Sequence, residues 1–199
     1  MNLHGIFPTP VGRFELGREF TTEEAEFCLG QEQRGNEGNM TSVNNYVLRH
    51  DSLAGLKTFI DACVDEYVKA TYAPKYDVSM RVTQSWFNYT KPGQWHHKHA
   101  HPNSFISGVL YMKAVKDKIY FYRDGYQTIK LPTDNWNLYN SESWWFEAET
   151  GGLVLFPSSL THMVQTVTGD DTRISLAFNT FPVGYVGDEQ SLTGLHLKE

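Results

Sequence analysis

Apolar residues recur at two different spacings along the chain, and the spacing changes near residue 76. The earlier part contains a stretch, Asp51 to Pro74, in which each of eight apolar side chains has another three or four residues away. These side chains are Leu53, Leu56, Phe59, Ile60, Cys63, Val64, Tyr67 and Val68. Intervals of this kind place them on one face of a helix. We therefore predict a long helix that covers one face of a sheet.

A shorter helix is predicted upstream. Thr21–Glu24 has the spacing of a capping box, in which a Thr and a Glu three residues later satisfy each other's backbone N–H groups, and an apolar run begins at Ala25. We expect this helix to end before Gly35. On either side of it, 6–16 predicts a short edge strand and 35–45 a polar loop.

After residue 76 the pattern changes to short β-type runs separated by Gly, Pro, Asn and Asp. The runs predict strands at 77–89, 105–115, 119–123, 126–131, 143–146, 153–156, 162–167 and 172–181. Many short strands after two helices indicate a mainly β protein, a double-stranded β-helix or cupin-like jelly roll of two facing antiparallel sheets. The 199 residues predict one domain. Its parts would be a strand and supporting helices (1–76), a β core (77–183) and a tail (184–199).

Composition and charge narrow the class of protein. The net charge is −6 and no run of Lys and Arg is present, which argues against a nucleic-acid partner. No stretch approaches the roughly 18 apolar residues of a membrane span, and the N-terminus has no leader pattern, so we expect no membrane partner. Cys28 and Cys63 are expected to be buried and reduced, as in a cytoplasmic protein.

The densest candidate chemistry is a group of histidines. Four of the 8 histidines lie between His96 and His101. Imidazole is the commonest metal ligand in proteins, and side chains two residues apart on a strand, such as His99 and His101, point to the same side. Two such ligands do not close a metal site, so we expect a third from a later strand, and His162 is the candidate.

Other interpretations of these histidines stay open. The cluster could be a solvated loop whose imidazoles only hydrogen-bond one another. His97 could share the face of His99, although His96 and His97 are each better interpreted as solvent-facing or substrate-side residues than as ligands. Asp124 could add a carboxylate, but no spacing directs it to the site.

Three ordered motifs give the chain a family resemblance. They are His99-x-His101-Pro102 leading into Ser107-Gly108-Val109-Leu110-Tyr111, then Leu155-Phe156-Pro157-Ser158-x-Leu160-x-His162, then Arg173-Ile174-Ser175-x-x-Phe178-Asn179. In this order they resemble a 2-oxoglutarate/Fe(II)-dependent oxygenase family found in bacteria and phages. The opening 6–11 also looks like the start of that family, so the resemblance covers essentially the whole chain.

The resemblance implies the cofactors Fe(II), 2-oxoglutarate as cosubstrate, and O2. It implies a dioxygenase that hydroxylates an unidentified substrate and releases succinate and CO2. Iron would be held by three histidines: His99, His101 and His162. Many members of the wider superfamily carry Asp where His101 stands. For a phage-encoded chain the cytoplasm would be that of the host.

The cosubstrate would be held at its far carboxylate by Arg173, whose planar fork matches a carboxylate. The resemblance adds Tyr111 and Ser107, and Ser175 faces the same side as Arg173. Asn88 and Asn179 lie on predicted inner strands. Each could hydrogen-bond the near carboxylate or the metal-binding imidazoles, or could have a purely structural role.

Two alternatives remain beside the dioxygenase. A cupin-like three-histidine metalloenzyme would not need 2-oxoglutarate, and a non-catalytic jelly-roll binding module would need no metal. Arg173 could instead pair with surface Asp170 or Asp171. The Trp-rich segment 134–146 could form a substrate wall or pack on the barrel flank. We expect a small-molecule or peptide substrate, and pairing of edge strands could make a homodimer.

Overall fold

The computed structural model describes residues 1–123, 125, 129 and 131–198. The strand predicted at 126–131 lies largely outside the described residues, and so does Asp124. No helix in the described part is long and apolar enough to cross a membrane.

Two α-helices precede the main β region, as the apolar spacing predicts. Helix α1 spans Thr22–Leu29, and α2 spans Ala54–Tyr72 after short 3-10 turns at Val47–Arg49 and Asp51–Leu53. The capping box is confirmed, because the Thr21 hydroxyl accepts from the backbone N–H of Glu24 while the Glu24 carboxylate accepts from that of Thr21.

The described residues form twelve strands in two antiparallel sheets. The strands are β1 (Gly12–Glu15), β2 (Gln33–Gly35), β3 (Met40–Ser42), β4 (Val78–Thr90), β5 (His96–His99), β6 (Ile106–Lys113), β7 (Lys118–Tyr122), β8 (Ser143–Glu147), β9 (Gly152–Pro157), β10 (His162–Val164), β11 (Arg173–Val186) and β12 (Leu195–Leu197). The large sheet has the order β1-β9-β6-β11-β4-β3-β2, with β12 paired to β11, and the small sheet has the order β5-β10-β7-β8. The predicted jelly roll is confirmed.

Alternation along β11 separates two cores. Ile174, Leu176 and Phe178 face away from the small sheet and pack in a core that includes the apolar stripe of α2. Gly108 lies opposite Phe178, and a Cβ at this position would be 2.2 Å from the Phe178 ring, so the close packing requires glycine.

The second core fills the space between the sheets. It joins residues of β6 and β9 in the large sheet to residues of β7 in the small one, through Tyr111, Val154, Phe156, Ile119 and Phe121. The opposite side chains of β11, beginning with Arg173 and Ser175, point into the same space. This interior face carries the candidate site.

One expectation about an irregular segment is wrong. The polar loop predicted at 35–45 contains part of a short hairpin, because β2 pairs with β3 and β3 continues the large sheet beside β4. The segment 184–199, predicted as a tail, includes the end of β11 and the strand β12 that pairs with it. The first predicted helix ends at Leu29, before Gly35 as expected.

Glu24 is expected to stabilise the packing of α1 through its carboxylate. It is buried, accepts from the Thr21 backbone, and receives two hydrogen bonds from the Arg18 guanidinium at 2.6 and 2.9 Å. The variant Glu24→Gln should lower the free energy of unfolding by about 1–2 kcal/mol in urea denaturation at neutral pH. Exposed Glu26 on the same helix provides the control, since Glu26→Gln should change it by less than about 0.5 kcal/mol.

The difference should also depend on pH. The hydrogen bond from Arg18 lowers the pKa of Glu24, so its contribution is present above the ordinary carboxyl pKa and is lost as pH falls through the lowered value. The gap in unfolding free energy between the wild-type protein and Glu24→Gln should therefore shrink in acid. A gap that grows in acid would contradict the assigned ion pair.

Candidate metal and cosubstrate site

Three imidazoles meet at one end of the barrel interior. The antiparallel register of β5 and β10 sets His99 directly opposite His162, with ring centroids 4.4 Å apart. His101 lies in the turn after β5 and not on the strand as predicted, and its backbone N–H donates to the Ser158 carbonyl at 2.8 Å. One ligand atom from each ring lies within 4.8 Å of the others, so the structure brings together the three predicted iron ligands.

Hydrogen bonds to backbone carbonyls set the tautomers of two of these rings. His99 donates from Nδ1 to the His97 carbonyl at 2.8 Å, and His162 donates from Nδ1 to the Leu160 carbonyl at 3.0 Å. A carbonyl can only accept, so each Nδ1 carries the proton and each Nε2 keeps its lone pair for a metal.

The spacing of the nitrogens suits a single ion. Nε2 of His101 and Nε2 of His162 are 3.3 Å apart. Two nitrogens bound to one metal at about 2.0–2.1 Å, at angles of about 90–109°, are separated by about 2.8–3.4 Å. The observed separation therefore matches two ligands of one ion.

Burial keeps these imidazoles neutral. It lowers the pKa of His162 to about 3 and that of His101 to about 4, and it also lowers the pKa of His99. The neighbouring histidines reinforce the shifts at His101 and His162 through charge repulsion. A neutral ring is the form that binds a metal, so the site needs no proton release from these rings near neutral pH.

A chain of hydroxyl groups supports His101. The Ser158 hydroxyl bonds to that of Ser104 at 2.7 Å and to that of Ser107 at 2.8 Å. Ser107 donates to the Asn179 carboxamide oxygen at 2.8 Å, and the Asn179 side chain raises the pKa of His101 against the larger effect of burial. Ser107, predicted as a cosubstrate residue, therefore lies on the side of the metal ligands, and so does Asn179, for which a role beside the metal-binding imidazoles was one of the expected alternatives.

The sequence patterns did not reveal that Ser104 and Ser158 belong to this chain of hydroxyl groups. Ser107 is four residues from Tyr111 on β6, about 13 Å along a strand, so the two do not share one binding position. The Phe-Pro-Ser motif that contains Ser158 was the available signal, but nothing in it indicates which hydroxyl the serine would meet.

Arg173 is buried at a different place on the interior face, with 2% of its side chain exposed. Its Nε donates to the carboxylate of Asp117, its Nη1 donates to the Ser175 hydroxyl at 3.1 Å, and its guanidinium lies 5.0 Å from the Tyr111 ring centre. The alternative pairing with Asp170 or Asp171 is not found, since Asp171 pairs with exposed Lys113. Asp117 is a second residue that the sequence pattern did not reveal.

Ser175, Asn88 and Tyr111 form one row across three adjacent strands. In the register of the large sheet Ser175 is opposite Asn88 on β4 and opposite Tyr111 on β6. The Asn88 Oδ1 and Tyr111 hydroxyl are buried without a hydrogen-bond partner among the described residues, and burial raises the pKa of Tyr111 to about 12.

An unpaired buried polar group costs about 1–3 kcal/mol. A carboxylate near Arg173 would accept a hydrogen bond from the Tyr111 hydroxyl, so the residues present fit a carboxylate-bearing molecule there, whereas the Asn88 Oδ1 is an acceptor and needs a donor. The three imidazoles fit a divalent metal ion of the kind that histidine binds.

The Trp-rich segment lies at the edge of the small sheet. Trp144 and Trp145 are on β8, each 43% exposed, and Trp136 is 67% exposed. The Lys118 ammonium lies 3.4 Å from the Trp145 ring centre. These side chains are therefore not part of the buried core between the sheets.

A comparison with family models gives one match in the part of the chain that carries the site. Residues 84–179, a little under half of the chain, match the model described as "Putative 2OG-Fe(II) oxygenase". This match supports the family suggested by the sequence motifs. It includes all three imidazoles and Arg173, and together with the three-histidine group it agrees with the expected cofactors, Fe(II), 2-oxoglutarate and O2. No curated protein matches the chain.

Several solved structures share the fold at low sequence identity. A 2OG-Fe(II) oxygenase family oxidoreductase from Burkholderia pseudomallei aligns with a TM-score of 0.58 at 13% identity, covering 85% of this chain and 84% of that one. HygX from Streptomyces hygroscopicus, with nickel, 2-oxoglutarate and hygromycin B bound, aligns with a TM-score of 0.59 at 9% identity, covering 86% and 82%. A Pseudomonas putida prolyl-4-hydroxylase aligns with a TM-score of 0.52 at 14% identity, covering 86% and 92%.

Metal binding should depend on His101 and not on its neighbour His97. The variant His101→Ala should weaken Fe(II) binding at least about 100-fold, because it removes one of three converging ligands, while His97→Ala should bind as the wild type does. The variant His101→Asp should retain the metal, because Asp restores the usual set of two histidines and one carboxylate. Metal content after anaerobic loading and desalting measures all three.

The opposite pattern of metal content would assign the ion to a different group of histidines. If His97→Ala lost the metal and His101→Ala kept it, the ion would belong to the neighbouring group of His96, His97 and His99.

Proposed function

We propose that this protein is a 2-oxoglutarate- and Fe(II)-dependent dioxygenase that hydroxylates a small-molecule or peptide substrate and releases succinate and CO2. Fe(II) together with 2-oxoglutarate supplies the O2-dependent oxidation. The proposal rests on one observation above all. Three converging neutral imidazoles and a buried arginine occupy the same barrel interior, within a segment that matches an oxygenase family.

The ligand set favours an anionic cosubstrate at the metal. His99, His101 and His162 bring no charge, so a divalent ion held by them keeps its full charge of +2. A dianion that chelates this ion would neutralise the complex, which is favourable in a site removed from water. With an aspartate in place of His101 the same complex would carry one negative charge. The third histidine thus increases the attraction for 2-oxoglutarate.

Arg173 is proposed to hold the far carboxylate. Asp117 occupies the Nε side of its guanidinium and Ser175 accepts from Nη1, which fixes the plane of the fork. The remaining N–H groups and the Tyr111 hydroxyl are available as donors to a bound carboxylate. Once a ligand is bound, these groups exclude water and hold the ligand in one orientation.

A second candidate function is favoured by the ion pair of Arg173 with Asp117. The pair is neutral as a whole, so Arg173 is already compensated without any ligand. A three-histidine metalloenzyme that binds its substrate directly to the metal would need no free arginine. The two candidates differ in whether the metal-loaded protein binds 2-oxoglutarate.

The substrate class is proposed from the similar solved structures. Both substrate types are represented among similar structures, since HygX was solved with hygromycin B and the Pseudomonas putida protein is a prolyl-4-hydroxylase.

We propose a cytoplasmic location because Cys28 and Cys63 are free and buried, with each thiol pKa raised by burial, as suits a reducing compartment.

Anaerobic titration with 2-oxoglutarate should distinguish the candidates. The Fe(II) protein should develop a visible charge-transfer band that saturates with 2-oxoglutarate, and it should release succinate when O2 is admitted. The single variant Arg173→Ala would leave the buried Asp117 carboxylate unpaired, at a cost of about 3–5 kcal/mol. The double variant Asp117→Asn with Arg173→Gln removes both charges together and avoids that cost.

The double variant should bind 2-oxoglutarate about 10–100-fold more weakly while holding the same amount of Fe(II), since charge-assisted hydrogen bonds contribute about 1.5–3 kcal/mol. The exposed pair Lys113 and Asp171 provides the control, as Lys113→Gln with Asp171→Asn should leave binding unchanged. If the wild-type Fe(II) protein gives no band and no succinate, the dioxygenase proposal is wrong. An unchanged affinity in the double variant would reject Arg173 as the anchor.

A further inference from the structure

His96 faces the barrel interior because strand β5 contains an extra residue. In the register with β10, His162 lies opposite His99 and Val164 lies opposite His96. Two steps along β10 therefore correspond to three along β5, which is the pattern of a β-bulge. In a regular strand, residues three apart point to opposite faces. The bulge instead turns His96 and His99 toward the same side.

Contacts of the His96 ring agree with this orientation. It stacks on His99 with ring centroids 4.8 Å apart and an interplanar angle of 23°. His96 is thus in direct contact with His99, one of the three metal-binding imidazoles.

The ring nitrogens of His96 have no hydrogen-bond partner in the described part of the chain. The other imidazoles of the cluster each have one. His97 contacts the Glu37 carbonyl, His99 and His162 donate to carbonyls, and His101 contacts His162. An imidazole carries at least one N–H donor in either protonation state. His96 therefore offers a free donor beside the candidate metal site.

A second metal ion is the competing explanation for His96. Nitrogens of His96, His97 and His99 also lie within 4.8 Å of one another. However, Nδ1 of His99 donates to the His97 carbonyl, which leaves His99 a single lone pair on Nε2. One lone pair binds one ion, and the group with His101 and His162 includes two further buried or half-buried rings. His96 and His97 alone do not complete a second site.

We propose that His96 is a cosubstrate-binding residue that donates a hydrogen bond to the metal-proximal carboxylate of 2-oxoglutarate. This inference rests on the proposed dioxygenase function. Together with Arg173 it would give the cosubstrate a protein donor at each end.

The test compares His96→Ala and His96→Gln with His97→Ala. Gln keeps an N–H donor, whereas Ala removes it, and His97 is the adjacent imidazole with a different partner. In anaerobic titration of the Fe(II) protein, His96→Ala should raise the dissociation constant for 2-oxoglutarate about tenfold. His96→Gln should restore it to within about threefold of the wild type, and His97→Ala should match the wild type. Metal content should be the same in all four proteins.

The other possible results distinguish a failure of the role proposed for His96 from a failure of the proposed dioxygenase function. Loss of Fe(II) from both His96 variants would overturn the proposal in favour of a metal ligand at this position. Equal 2-oxoglutarate affinity in His96→Ala and the wild type would overturn the role of His96 and leave the dioxygenase intact. If the wild-type Fe(II) protein itself does not bind 2-oxoglutarate, both the proposed function and this inference are wrong. Circular dichroism of each variant verifies that it is folded.

Discussion

The pairing of β10 with β5 is the constraint on which the candidate site depends. A three-residue strand in the small sheet sets His162 against His99, and the same backbone segments supply the carbonyls that fix both tautomers. The ligand geometry is therefore a property of the sheet and does not rely on flexible side chains. Large-sheet packing supports it from the other side, because Phe156 on β9 contacts the His162 ring at a centroid distance of 4.7 Å.

Arg173 imposes the second constraint, since a buried guanidinium must be compensated. The partner is Asp117, in the connection between β6 of the large sheet and β7 of the small sheet. The ion pair therefore holds the connection between β6 and β7, which joins the two sheets, next to Arg173. Removing one member of such a pair is costlier than removing both, because a lone buried charge keeps its full desolvation penalty. The same contact thus serves the fold and orients the guanidinium.

The sequence predicts most of the fold because the two apolar periods are strong and separate. The α2 stripe, the capping box at Thr21–Glu24 and the alternating β11 run all correspond to observed elements. The convergence of His99, His101 and His162 was also predictable, although from ordered motifs and their family resemblance, since no spacing rule alone unites residues 61 positions apart. Short polar strands such as β2 and β3 have little apolar signal, and they are strands only because β3 pairs with β4 and β2 pairs with β3.

The residues that the sequence did not reveal share a physical cause. Asp117 and Ser158 acquire their roles from partners far along the chain, Arg173 and Ser107, so no local window contains the relevant contact. His96 is different, because its role depends on one inserted residue in β5. With strict alternation the side chains of His96 and His99 would point to opposite faces of β5. The bulge brings them to the same face without any change in the type of nearby residues. Register irregularities of this kind arise from the partner strand, and for that reason the interior face of β5 can be assigned only from the paired structure.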